Sequence, residues 1–113
     1  MAVESTSLSS LAEEELKAAC GAASGRSART IHGGHDRSLR ETLIALLSGR
    51  ELSEHESPGE ATLQVLRGRV RLISGEDTWE GGVEELVIIP DARHALVALE
   101  DAVVLLTVVK PMP

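Results

Sequence analysis

The chain has 113 residues, enough for one compact domain and not two. Its apolar share of 42% comes almost entirely from Ala, Val, Leu and Ile; Phe and Tyr are absent and Trp79 is the sole aromatic. Eighteen acidic against eleven basic residues leave a net charge of −7, which excludes the basic, aromatic-studded surface that nucleic acid requires.

Cys20 stands alone, so neither an intrachain disulfide nor a cysteine-based zinc knuckle can form. The first residues are acidic and polar, without the basic start and apolar run of a signal peptide. The longest apolar stretch, Ala102 to Val109, is broken by Thr107 and is too short to span a bilayer. These features predict a soluble cytoplasmic protein with neither a membrane nor a nucleic acid as partner.

In chain order, residues 1–29 are rich in Ser and Ala. Ser10-Leu11-Ala12-Glu13 has the form of a capping box, and Ala12, Leu16, Ala19 and Cys20 make a thin apolar stripe at helical spacing. The segment reads as a short helix, loosely attached or packed on the domain, or else as a frayed arm. His32 and His35 flank Gly33-Gly34, which reads as a solvated turn before the first strand, with chelation as the alternative. Residues 39–48 are ambiguous: Ser38-Leu39-Arg40-Glu41 is a second apparent capping box, yet Thr42 to Leu47 also suits a buried strand.

From residue 61 the pattern is that of strands. Ala61 to Leu66 is separated by Gly68 from a segment in which Val70 and Leu72 alternate with Arg69 and Arg71, as in a hairpin or tight bend. Gly75-Glu76-Asp77 and Gly81-Gly82 read as turns around Thr78-Trp79-Glu80. Leu86 to Ile89, Ala95 to Leu99 and Ala102 to Val109 follow, stopped by Pro90-Asp91 and Glu100-Asp101. Short β-branched strands at this spacing predict an antiparallel sandwich or barrel. Ala102 to Val109, the most apolar, should be central or at a subunit contact.

Read as one piece, Gly49 through His94 resembles the cupin family, whose first motif has the form G-x5-H-x-H-x3-E-x6-G. Gly49, five residues, then His55 match its opening, and Val65-Leu66-Arg67-Gly68 matches its close. Ile88 to His94 is similar to the second motif, a Pro-containing turn followed by His, and Ala98-Leu99-Glu100-Asp101 before the last strand fits as well. The resemblance spans residues 30–110. It implies an all-β fold, a single RmlC-like jelly-roll barrel (a double-stranded β-helix) preceded by the 1–29 helix or arm. It also implies a homodimer, with the arm a candidate to cross to the partner. With that fold in view, residues 39–48 read as strand.

The family's metal site uses two His and a Glu from the first motif and one His from the second. By position His55 and His94 remain, while Ser57 replaces the second His and Ala61 the Glu. Neither replacement is a good ligand for a divalent transition metal. Glu60 would face away if Ala61, Leu63 and Val65 face inward, unless a bulge after Pro58-Gly59 re-aims it. The expected pocket is therefore lined by His55, Ser57, Leu63, Val65 and His94, with His55, His94 and Glu60 as the candidate ligands of an iron, manganese, nickel or zinc ion. The plainer reading of the two histidines is a polar pair at the barrel mouth.

Arg67, Arg69 and Arg71 form a same-face row if the register runs through Gly68, suited to an anion or, more simply, to neighbouring Glu on a wet face. Glu51, Glu54, Glu56 and Glu60 read as surface charge, and Trp79 as the seal of a pocket or subunit contact. There is no nucleophile elbow, P-loop or dinucleotide fingerprint, and Cys20 lacks the basic surroundings of a reactive thiol. The expected function is non-catalytic binding or sensing of a small molecule by a cupin-like barrel with a degenerate metal site. The alternatives are a metal-dependent dioxygenase or isomerase using His55 and His94, and a purely structural dimer.

Overall fold

Alternation of apolar and polar residues sets most of the strands. A computed structural model describes residues 2–55 and 59–110, without the side chains of Glu54 and His55. Among these residues the order is α1 (Leu8–Gly21), β1 (Arg26–His32), β2 (Leu39–Leu46), β3 (Glu51–His55), β4 (Glu60–Arg67), β5 (Arg69–Ser74), β6 (Asp77–Gly82), β7 (Leu86–Ile88), β8 (His94–Ala98) and β9 (Ala102–Val109). The strands form two antiparallel sheets, β1-β2-β9-β4-β7 and β3-β8-β5-β6. This is the two-layered jelly roll that the resemblance implies.

The inward residues of both sheets meet in one aliphatic core that includes Leu46, Leu63, Val65, Val70, Leu72, Leu96 and Val104. β9 lies between β2 and β4, the central position its composition predicts. Residues Leu39–Leu46 are a strand paired with β9 along its length. Ile44 and Leu46 face the core while Leu43 and Ala45 face α1, and burial on both faces is why this run shows no clean alternation.

The helix begins earlier than the expected capping box. Ser7 is the N-cap, its hydroxyl accepting from the Ser10 N–H at 3.2 Å, and Ser10 lies inside the helix. The earlier start brings Leu8 and Leu11 onto the sheet beside Ala12, Leu16 and Ala19, over Leu43, Ala45, Val103 and Leu105. Cys20, read as part of that stripe, is exposed. Glu15 sits in the stripe instead: only 4% exposed, it accepts the Ser27 hydroxyl and pairs with Arg29 Nε at 2.9 Å. Its charge is thus carried on β1, which starts at Arg26, inside the stretch read as an arm. No described helix is long and apolar enough to cross a membrane.

Three turn readings change. Gly68 does not close a hairpin, because β4 and β5 belong to different sheets. It turns the chain from one layer to the other at φ 72, against the Asp101 carbonyl. The arginine row is broken there: Arg67 donates to Ser9 Oγ and the Leu66 carbonyl, while Arg71 pairs with Glu80 at 2.8 Å. Gly75-Glu76 is the turn expected there, but Asp77 and Gly81-Gly82 are strand and not turn, since β6 pairs with β5 from Asp77 to Gly82. The Gly33-Gly34 loop, finally, follows β1 and joins it to β2, with His32 and His35 exposed.

Candidate functional site

Strand register places the polar residues. In the four-stranded sheet His55 of β3 stands opposite His94 of β8. Between Leu52 and His55 the β3–β8 register shifts by one residue, the bulge that lets two residues of one strand oppose one of the other. Ile73 pairs with Ala95, so Ser74 follows in register beside His94, and Ser74 pairs with Asp77 across the β5–β6 hairpin. Four strands therefore end in one row, His55, His94, Ser74, Asp77, at the rim of the layer. One step inward the facing residues turn aliphatic, with Leu96 and Leu72 in the core and Trp79 packed against it.

His94 is buried, 5% exposed, and its Nδ1 lies 2.9 Å from the Ala92 carbonyl oxygen. A carbonyl only accepts, so Nδ1 carries the hydrogen in the neutral ring and the lone pair sits on Nε2. The Ser74 hydroxyl donates to the Arg93 carbonyl at 3.0 Å. Both bonds tie the rim to the 89–93 connection that brings His94 into β8.

The row adjoins a cleft of ≈ 210 Å³ where the open edge of β6 faces β7. Leu72, Trp79, Val87, Ile88 and Pro90 give it apolar walls, and Ser74, Asp77 and Thr78 give it a polar side. The Trp79 indole lies over Gly81: a methyl on that glycine would fall 2.2 Å from Trp79 Cη2 and Cζ2. Glycine in mid-strand is what this close approach demands. A second, wider cleft of ≈ 680 Å³ lies between residues 4–8 and the β1–β2 hairpin, lined by His32 and Glu41 among others.

The expected pocket residues divide. His55 and His94 come together in register. Leu63 and Val65 are core, 3% and 0% exposed, and line neither of these clefts. Ser57 falls outside the described residues. Glu60 is exposed while Ala61 is buried, and β4 pairs regularly with β9 at both positions, so no bulge re-aims the carboxylate. Sequence reasoning missed Ser74 and Asp77. The available signal was the two-residue Gly75-Glu76 loop, with Gly75 at φ 60, which sets the residues on either side of it as a cross-strand pair.

Among the described residues the donor set lacks the carboxylate that a resident divalent metal would take from the motif. Where the motif reserves a carboxylate stands the buried methyl of Ala61. Asp77 lies two strands from His94, about 10 Å at the usual strand spacing, beyond reach of a shared ion. Among the described residues no group of three or more His, Cys, Asp and Glu side chains could hold a metal.

The fold has many structural likenesses. A conserved protein of unknown function from Streptococcus pyogenes is 30% identical at a TM-score of 0.70, with 78% of this chain matching 76% of that one. A cupin superfamily protein from Desulfitobacterium hafniense is 17% identical at a TM-score of 0.69, with 76% matching 78%. An RmlC-like cupin from Desulfovibrio desulfuricans is 20% identical at a TM-score of 0.65, with 74% matching 81%. No family model and no curated protein matches the sequence.

Proposed function

We propose that the chain, which has the fold of cupin superfamily proteins, is a binding or sensing barrel for a small molecule, without a catalytic metal. The observation that carries this reading is an aliphatic interior that ends, at one rim, in the row His55, His94, Ser74 and Asp77 beside an apolar-walled cleft. Apolar walls with a few convergent polar groups are the usual form of a ligand site. The His94 ring is held by the Ala92 carbonyl, and Ser74 is oriented by its bond to the Arg93 carbonyl. Such groups orient a bound molecule; the chemistry of a metalloenzyme needs a further donor that Ala61 and Glu60 do not supply.

The test combines elemental analysis with a thermal-shift screen of small molecules on the untagged protein and its His55→Ala and His94→Ala variants. The expected result is metal at trace level in all three proteins and a ligand-dependent rise in melting temperature that the variants lose. Near-stoichiometric iron, manganese, nickel or zinc, lost in both variants, would overturn the proposal in favour of a metalloenzyme.

A further inference from the structure

We infer that the cleft beside the polar row selects a small organic cation, an ammonium group carried on a compact apolar body. The inference rests on the binding reading above and adds the charge class of the ligand. Among the described residues Asp77 is the only ionisable side chain in the cleft lining, which includes no Lys, Arg or His from them. Among the described residues no ion pair or side-chain hydrogen bond engages its carboxylate. Neither Arg71 nor Arg93 lines the cleft. Arg71 alternates with the buried Val70 and Leu72, points to the outer face and is bound to Glu80. Arg93 gives its carbonyl to Ser74 and does not line the cleft.

An anionic ligand would therefore enter against an unopposed carboxylate and the chain's net charge of −7, whereas a cation is drawn in by both. Trp79 supplies the second attraction, since the face of an indole is the best aromatic partner for an ammonium. Packing over Gly81 holds that indole in place before any ligand arrives. Val87, Ile88 and Pro90 then cover the apolar part of the guest. A volume of ≈ 210 Å³ is about seven times a water's share of the liquid, which suits a trimethylammonium-sized group.

Trp79 is the only aromatic residue, so its fluorescence reads this cleft alone. Tetramethylammonium, tert-butanol and pivalate, of similar shape but positive, neutral and negative, are titrated at matched ionic strength with sodium chloride as blank. The expected result is a saturable emission change with tetramethylammonium that is strongest of the three. Asp77→Asn weakens it about threefold, the size of a partly screened ion pair, and Trp79→Leu abolishes the accompanying thermal shift. If tert-butanol or pivalate binds as tightly, or Asp77→Asn binds tetramethylammonium unchanged, the charge assignment is overturned while the binding reading stands. If no probe perturbs either emission or melting in a protein of native circular dichroism, this inference fails, and the ligand screen on the histidine variants decides the binding reading separately.

Discussion

The two ends of the sandwich are built differently. At one end the connections are fastened to one another: Ser48 N–H donates to Asp101 Oδ1 at 2.8 Å, the Gly49 and Ala98 amides bond the carbonyls of Ala98 and Arg50, and Leu99 N–H reaches the Arg69 carbonyl. The two loops there, after β2 and after β8, hold the layers together across 53 residues of sequence. At the other end stand the polar row, the cleft and the 33–38 and 89–93 connections. There the bonds from Ser74 and His94 run to backbone of the same connection. At this end too Lys110 bonds the Ser38 and Gly34 carbonyls, but only here do Ser74, Asp77 and Trp79 line a cleft, the end at which recognition is proposed. This is the usual division between scaffold and site.

The contrast can be broken most severely at Gly68. A Cβ there would sit 2.2 Å from the Asp101 carbonyl oxygen, at φ 72, so Gly68→Ala combines backbone strain with a clash against rigid main chain. It should cost about 4 kcal/mol, read as a lowered urea midpoint or as failure to fold. At the open end the matching substitution is Gly81→Ala, where the clash is with the Trp79 ring and not with backbone. A loss of about 2 kcal/mol is expected, as for overpacking, together with a red shift of Trp79 emission as the indole is pushed toward water. Loss of stability without any spectral change would show that the indole is not seated on Gly81. Asp101→Ala, which removes one loop-to-loop bond, should lower stability by about 1 kcal/mol. Asp77→Asn at the cleft should change it by less than about 0.5 kcal/mol. Equal effects of these last two in equilibrium unfolding would erase the distinction between the ends.

Much of the fold was legible because burial on one face leaves an alternating trace. Ala61, Leu63 and Val65 against Glu60, and Val70 and Leu72 against the arginines, read correctly as strands with one wet face. Glycine misled in both directions, because turn chemistry and close approach use the same residue. Gly68 read as a hairpin but turns a corner between sheets, and Gly81-Gly82 read as a turn but lies in β6 beneath an indole. Burial of Glu15 left no local trace, because its partners, Ser27 and Arg29, belong to the following strand. Of the site, the motif showed His55 and His94. Ser74 and Asp77 stayed hidden because their place beside His94 follows from strand register, which no local pattern records.

The central position of β9 has a kinetic consequence. β2 and β4 never pair with each other; each pairs with β9, which follows both in the chain. Until that strand docks, the five-stranded layer exists as two separate fragments with bare edges, the form most exposed to wrong partners. Closing it joins segments far apart in sequence, so folding should run on the millisecond-to-second scale of non-local β topologies. The transition state should include contacts of β9 with both neighbours, and substitutions such as Val104→Ala should slow folding more than they speed unfolding.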